Sequence, residues 1–431
     1  MLKINPLSTL YVGIDVSSKS NYICVLDFFK NKYINSSFAN NQPGAEELAL
    51  KILECLNQHP DLTMVVAALE STSVYSIHIA NYLSSCEELM RFKPYVFVLN
   101  PKCTANYKKS YIGLGKSDPI DAFVIADYAR AGNIESEPWR GSQFLALKRL
   151  TRHRLHLVEC MTREKTYLIS NLYLKFSELQ MLEGDDQPFC DIYGATSSSV
   201  LMEYLSPEEI LASSEENLIA FLAEKSCNRI KDISKTADLL KKAARDSYRL
   251  DKALYEPLNV SIASSFNCIE TFKREIKVID NAIEKEIKGL NPNAFIILQS
   301  IDGIGPVFAG GIIAEIGDIT AFHSSDALAK YAGLTWKSNQ SGDFYGEDTP
   351  MIKAGNRYLR YYLGEAANSM RKHNVEYGAY YRKKYNEVPK HQHKRALALT
   401  SRKFVRLVYG LLARNQLYSG VSLDTSIKDS N

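Results

Sequence analysis

Three β-rich segments follow one another at the start of the chain before any helical pattern begins. They occupy residues 10–16, 21–27 and 33–38, with small polar clusters such as Ser17-Ser18-Lys19-Ser20 between them. Helical patterning then opens at Asn41-Gln42-Pro43-Gly44, where Pro43, Glu46 and Glu47 supply the signals of a helix start. A short apolar run at 63–70, a helical stretch at 74–83 and a further strand at 95–99 complete the region. Strands first, then strand alternating with helix, predict a mixed sheet with helices on its faces. The expected fold class is therefore α/β for the N-terminal part, joined to mainly helical sequence.

The period changes near residue 143. Leu145, Leu150, Leu155, Leu157 and Leu168, interleaved with Arg and Lys, predict one extended helix through about residue 176. A second helical stretch spans about 207–290, with breaks expected near Cys227 and near Glu256-Pro257. Its near-neutral charge and Leu/Lys/Glu content suit a bundle or coiled-coil arm whose charges are solvated. A third unit starts near Asn291-Pro292. There Ile301-Asp302-Gly303-Ile304-Gly305-Pro306 reads as a helix, a glycine turn and a new helix with proline in its first turn. The turn resembles a helix-hairpin-helix, whose amides can bind a phosphate; a purely structural tight turn fits equally well. The resulting division is 1–140, 141–290, 291–417 and a Ser/Asp-rich tail at 418–431.

Charge is distributed unevenly. Residues 1–139 hold 12 Lys/Arg against 14 Asp/Glu, residues 140–290 hold 22 against 23, and residues 291–431 hold 18 against 12. From Met351 to Arg414, 15 basic residues face only Glu365, Glu376 and Glu387. Such an excess points to a polyanion, most often nucleic acid. Tyr377, Tyr380, Tyr381, Tyr385 and Phe404 lie in the same stretch. At helical spacing they read as core first and as base-stacking platforms second. No apolar run approaches the ~18–20 residues of a membrane span. Eight cysteines occur without a CxxC pair, which speaks against a zinc cluster and for a reducing, cytoplasmic setting.

Four carboxylates stand out in the α/β region. Asp15 ends the first strand and Glu70 ends the strand at 63–70. Asp118 and Asp121 sit where a helix opens, and their i, i+3 spacing places both on one face. Strand-end carboxylates meeting such a pair make an oxygen-rich pocket suited to Mg²⁺ or Mn²⁺, and metal ions of this kind support phosphoryl displacement. Each residue also has a plainer reading. Asp118 before Pro119 is a good N-cap, Asp121 complements the helix dipole, Asp15 can be an ordinary strand exit, and Glu70 can pair with a base. In this order, however, the set matches the RNase H/RuvC-like nuclease arrangement. In the third unit, Ser341 precedes Gly342 in a loop, with Lys353, Arg357 and Arg360 following. Basic side chains near a serine can activate it and neutralise a phosphorane, although a Ser-Gly pair is by itself usually a turn.

These motifs together resemble the DEDD insertion-sequence transposases, the family that includes the Piv DNA invertases and the bridge-RNA-guided recombinases. The resemblance runs from Tyr11 to about Leu412. It is carried by Tyr11-Val12-Gly13-Ile14-Asp15-Val16-Ser17, Leu69-Glu70-Ser71-Thr72 and Lys116-Ser117-Asp118-Pro119-Ile120-Asp121-Ala122. In the C-terminal part it is carried by Ile301-Asp302-Gly303-Ile304-Gly305-Pro306, Tyr331-Ala332-Gly333-Leu334, Gln340-Ser341-Gly342 and Lys353-Ala354-Gly355-Asn356. Family members commonly carry proline after the Gly-Leu-Thr segment, where this chain has Trp336.

The resemblance implies a DNA transposase or recombinase. Asp15, Glu70, Asp118 and Asp121 would hold Mg²⁺ (or Mn²⁺) in a RuvC-like domain, and Ser341, or failing it Ser338, would form a covalent 5′-phosphoserine with DNA. It also implies a guide or bridge RNA, a homodimer or homotetramer that completes the site, and phosphate contacts from Lys353, Arg357, Arg360, Arg149 and Arg152. Arg154 and Arg163 on the same long helix are further candidates. The alternatives are an RNA-independent DNA invertase and a structure-specific nuclease using water as its nucleophile.

Overall fold

The computed structural model describes residues 4–420 apart from 72, 116, 135–136, 337–339, 342–343 and 346–349, and side chains are not described for any of residues 337–349. The chain folds into two compact units, residues 1–148 with 286–431 and residues 149–285.

The first unit begins with three strands, β1 (Thr9–Val16), β2 (Ser20–Leu26) and β3 (Lys32–Ala39). Helix α1 (Gln42–Gln58), strand β4 (Met64–Glu70), helices α2 (Tyr75–Ser85) and α3 (Glu87–Met90), and strand β5 (Tyr95–Leu99) follow. Two helices, α4 (Pro101–Lys108) and α5 (Asp118–Arg130), end the α/β part. The sheet order is β3-β2-β1-β4-β5, antiparallel across the first three strands and parallel across β1, β4 and β5.

Alternation along the strands sorts residues between the two faces. Leu10, Val12, Ile14 and Val16 of β1, with Val65, Ala67 and Leu69 of β4, pack with Leu48, Ile52 and Leu56 of α1 and Ile79 and Leu83 of α2. Tyr11, Val66, Ala68, Phe97 and Leu99 face the other way and meet Ala122, Ile125, Ala126 and Ala129 of α5. Each large aliphatic side chain buried in these layers is worth roughly 1.5–3 kcal/mol. Helix α5 lies very close to β1. A Cβ on Gly13 would come within 2.2 Å of the Ala122 carbonyl oxygen and 2.3 Å of the Ala126 nitrogen, so only glycine lets the helix seat there.

The long helix α6 (Ser142–Lys175) matches the extended helix expected from the leucine pattern. Four shorter helices follow: α7 (Ala195–Glu203), α8 (Pro207–Ala212), α9 (Glu215–Ser226) and α10 (Ile233–Asp246). Helix α9 stops at Cys227, which adopts a left-handed conformation, as expected. The break expected at Glu256-Pro257 lies upstream instead. Helix α11 (Lys252–Leu290) starts before Pro257 and runs through it. Placed this near the helix start, the proline removes a single intrahelical bond without stopping the helix. In the second unit, Leu168, Leu172 and Phe176 pack with Leu201, Ile210, Leu222 and Leu240 and with Ile262, Phe266 and Ile269 of α11.

The first unit is completed by α12 (Pro292–Gln299), α13 (Pro306–Ile316), α14 (Ser325–Ala332), α15 (Arg357–His373), α16 (Val375–Asn386) and α17 (Gln392–Arg414). Between α14 and α15 the described residues form four two-residue strands: β6 (Thr335–Trp336), β7 (Gln340–Ser341), β8 (Phe344–Tyr345) and β9 (Met351–Ile352). β6 pairs with β9, and β7 with β8. No helix among the described residues is long and apolar enough to cross a membrane.

Candidate active site

Sheet parity explains where the carboxylates come together. Asp15 lies on the α5 face of β1, in step with Tyr11 and Gly13, and Glu70 lies on the α5 face of β4, in step with Val66 and Ala68. The parallel register pairs Ile14 with Leu69, which makes Asp15 and Glu70 the next neighbours along the two strands. Asp118 and Asp121 occupy the first turn of α5, whose Ala122, Ile125, Ala126 and Ala129 rest on the same sheet face. Ser117, not Asp118, stands at the cap position of α5, so the N-cap reading of Asp118 is replaced by a first-turn position, and Pro119 follows it in that turn.

The electrostatics reflect this convergence. Burial, then the neighbouring charges of Asp118, Asp121 and Glu70, push the Asp15 carboxyl up to about 6, against a smaller opposing pull from Lys108. Two of the other carboxylates are held by side chains of α4. Thr104 Oγ1 donates to Glu70 Oε1, and Lys108 Nζ donates to Asp121 Oδ1. Among the described residues, no three His, Cys, Asp or Glu side chains stand in an arrangement that could hold a metal ion. The donor chemistry does fit one. Four carboxylates, Asp15 among them disfavoured as an anion by burial and then by the rest, are hard-oxygen donors of the kind Mg²⁺ and Mn²⁺ prefer.

A second carboxylate centre on α5 was not singled out as a site by sequence. Asp127 is fully buried. It accepts hydrogen bonds from Tyr107 Oη (2.8 Å), Tyr111 Oη and Arg130 Nε (2.6 Å), and pairs with Lys30 Nζ at 3.2 Å. Burial raises its pKa, but the hydrogen bonds from Tyr111, Arg130 and Tyr107 outweigh burial and leave it below the usual carboxylate range.

The serine region is built on glycines and an asparagine. Gly333 ends α14 in a left-handed conformation (φ +69°), and a Cβ on Gly355 would come within 2.6 Å of the Gly333 nitrogen and the Tyr331 carbonyl oxygen. Asn356 caps α15 by accepting from the Tyr358 and Leu359 amides, and donates from Nδ2 to the buried Glu315 (2.7 Å). Trp336 pairs with Met351 where β6 and β9 close the base of the excursion. Ser341 falls in β7, paired with Phe344 of β8. Its side chain, and Ser338 altogether, lie outside the described residues.

Lys353 and Arg357 are exposed. Arg360 instead spans Ala332 O (2.9 Å) and Lys353 O (3.1 Å), fastening the two ends of the excursion. In the second unit Arg149 is exposed and Arg152 half-buried, Arg154 is held by Asp280 at 2.5 Å, and Arg163 donates to Cys160 Sγ at 3.2 Å.

The glycine turn between α12 and α13 carries Gly303 at φ +81°. Ser369 Oγ donates to the Gly303 carbonyl at 2.7 Å, while no side chain caps the α13 N-terminus. Tyr377, Tyr381 and Phe404 are buried, whereas Arg382, Lys383, Tyr385, Lys390 and Lys394 are exposed around the α16–α17 turn. A cavity of about 1430 Å³ in the first unit, bordered by Tyr11, Trp139, Arg140, Phe144 and Asp318, is lined by none of the four carboxylates.

The sequence shows family relationships that agree with this layout. Residues 12–177 match the DEDD transposase model, and residues 296–382 match the transposase model of the IS116/IS110/IS902 family. The chain is 25% identical over 413 residues to the insertion element IS900 uncharacterized 42 kDa protein of Mycobacterium paratuberculosis, covering 95% of this chain and 97% of that protein. It is 23% identical to the insertion element IS116 uncharacterized 44.8 kDa protein of Streptomyces clavuligerus, covering 95% and 96%. It is also 26% identical to the pilin gene-inverting protein of Moraxella lacunata, over 37% of this chain and 46% of that protein. The four carboxylates lie within the first matched segment and Ser341 within the second, and the chain belongs to the IS110-type DEDD transposase family, enzymes of DNA transposition and recombination.

Proposed function

We propose that this chain cleaves and rejoins DNA strands through a covalent 5′-phosphoserine on Ser341, assisted by Mg²⁺ held by Asp15, Glu70, Asp118 and Asp121. The observation that carries this reading is the placement of four carboxylates at the ends of β1 and β4 and the start of α5, near enough that after burial the charges of the other three help raise Asp15 to about 6. A site that holds anions against one another gains most from a cation. The sheet order, with its antiparallel β1–β3 and parallel β1, β4 and β5, suits a RuvC-like domain. A divalent ion bound there, Mn²⁺ serving as well as Mg²⁺, neutralises charge on the scissile phosphate and favours the ionised serine hydroxyl.

The chain's own residues divide the remaining work. Gly13 seats α5 so that Asp118 and Asp121 reach Asp15. Arg360 and Asn356 fix the base of the Ser341 excursion. Lys353, Arg357, Arg149 and Arg152 grip phosphates, as does the exposed basic surface at the α16–α17 turn, and the uncapped α13 N-terminus offers amides in the manner of a helix-hairpin-helix. An element-encoded bridge RNA supplies sequence choice by base pairing, and a homodimer or homotetramer completes the site. The pilin gene-inverting relative favours one second reading, DNA inversion, which in this account needs no RNA.

The test is incubation of the purified protein with Mg²⁺, element-end DNA and flank-derived RNA, followed by a denaturing gel. A protein–DNA adduct lost in both Ser341→Ala and Asp15→Ala is expected. Cleavage that persists in Ser341→Ala without an adduct contradicts the phosphoserine and leaves a hydrolytic nuclease. An adduct formed without RNA selects the inversion reading.

A further inference from the structure

Helix α4 is only eight residues long, yet three of its side chains address carboxylates. Thr104 donates to Glu70, Tyr107 to Asp127 and Lys108 to Asp121. Positions 104, 107 and 108 share one helix face at i, i+3 and i+4. The attachment to Asp127 does not depend on the other two. Tyr107, with Tyr111 just beyond the helix, binds a buried carboxylate that is also held by Arg130 and Lys30. The helix is thereby latched to α5, and Lys108 is delivered to Asp121 as a half-buried ammonium, with 21% of its side chain exposed. Asp15 feels three carboxylates and, against them, Lys108.

We propose that Lys108 is a built-in counter-ion of the four-carboxylate site, a positioning residue that holds Asp121 and competes with a divalent cation for it. The proposal rests on the reading of these carboxylates as a cation site. The ammonium and a divalent ion repel each other across Asp121, so binding the ion drives Lys108 off that carboxylate. The displaced side chain stays tethered by α4, next to where a substrate phosphate is brought. The ammonium keeps the empty site from being pushed apart by self-repulsion and sets its affinity below that of four free carboxylates.

A purely structural lysine makes the opposite prediction. If Lys108 only fastens α4, its loss loosens Asp121 and weakens metal binding. If it is a competitor, its loss tightens binding.

The measurement is Mn²⁺ titration of the full-length protein, read from the free-ion electron paramagnetic resonance signal with no DNA present. Lys108→Ala is expected to bind Mn²⁺ about three- to tenfold more tightly than the natural protein, the scale of a partly exposed ion pair. Lys108→Arg, which keeps the charge, is expected to stay within about twofold. Lys108→Met, which keeps the apolar stem, serves in place of Lys108→Ala should the latter lose its circular dichroism spectrum. Unchanged or weaker binding in a folded, uncharged variant overturns the proposal while leaving the cation site standing. Absence of Mn²⁺ binding at millimolar concentrations in the natural protein and in the variants removes the cation site, and the counter-ion with it.

Discussion

Helix α5 carries two carboxylate centres with opposite electrostatics. At its N-terminal end, Asp118 and Asp121 join Asp15 and Glu70, and Asp15 is pushed up to about 6. Two turns further on, Asp127 is fully buried, and burial raises its pKa, yet hydrogen bonds from two tyrosine hydroxyls and the Arg130 guanidinium outweigh burial and lower it. Burial alone therefore does not distinguish a functional carboxylate from a structural one. What distinguishes them is whether the fold supplies the counter-charge. It does so at Asp127 with a guanidinium, an ammonium and two tyrosine hydroxyls, and at the four-carboxylate centre the described residues offer Lys108 and a threonine hydroxyl. The first centre is a joint that holds α4, α5 and the β2–β3 turn together. The second, on the function proposed above, is the site for a divalent cation.

Substitutions separate the two centres. Asp118→Asn is expected to lower DNA strand joining by at least about a thousandfold, roughly 4 kcal/mol, with the thermal melt little changed, since a carboxylate stabilising a transition state through a metal carries effects of that size. Asp127→Asn is expected to do the reverse kind of damage. It leaves the Arg130 and Lys30 charges and two tyrosine donors without their anion, for a loss of about 3–5 kcal/mol in denaturant unfolding. The Asp127 contribution has a defined pH sense. Its folded pKa lies below the ordinary value of 3.8, so its stabilisation is present above about pH 4 and is lost as pH falls through the folded value. The acid limb of the stability profile should therefore be shallower in Asp127→Asn.

Gly13→Ala probes the seating that brings the four-carboxylate centre together. The added methyl meets α5 backbone that cannot move aside alone, so a loss of about 1–3 kcal/mol is expected, together with weaker metal binding as Asp118 and Asp121 lift away from Asp15. A Gly13→Ala protein with natural metal affinity would show that α5 does not set the carboxylate geometry.

The smallest expected effect has the opposite sign. Asp15 ionises against burial and then against its neighbours' charges, so its folded pKa of about 6 exceeds the ordinary 3.8. Between those values the folded state holds the proton more tightly, and stability falls as pH rises from about 4 to 6 and then levels. Asp15→Asn should consequently raise the metal-free melting temperature at pH 7, by the equivalent of roughly 1 kcal/mol after allowance for solvent screening. A lowered melting temperature would mean that the site is not electrostatically strained.

The sheet was legible because its evidence is local. Two-residue alternation and apolar runs gave the strands, and the same parity, continued to Asp15 and Glu70, places both on the α5 face. The i, i+3 spacing of Asp118 and Asp121 needed no tertiary information. The Asp127 centre was not legible, since Lys30 lies 97 residues from Asp127 in sequence. Thr104 and Lys108 have likewise no motif to mark them; they matter only once α4 is laid against α5. Pro257 misled in a different way, since a proline reads as a stop wherever it falls, and only the true helix start at Lys252 shows it to be tolerated. Arg360 looked like a phosphate contact by charge and spacing, but its guanidinium is engaged by the Ala332 and Lys353 carbonyls.

The most direct measurement is anomalous diffraction from crystals of the full-length protein grown with Mn²⁺. A peak bounded by Asp15, Glu70, Asp118 and Asp121, with Lys108 moved off Asp121, is the expected result. No peak there at saturating Mn²⁺, with Lys108 still on Asp121, would contradict the assignment of these carboxylates as the metal site of the enzyme.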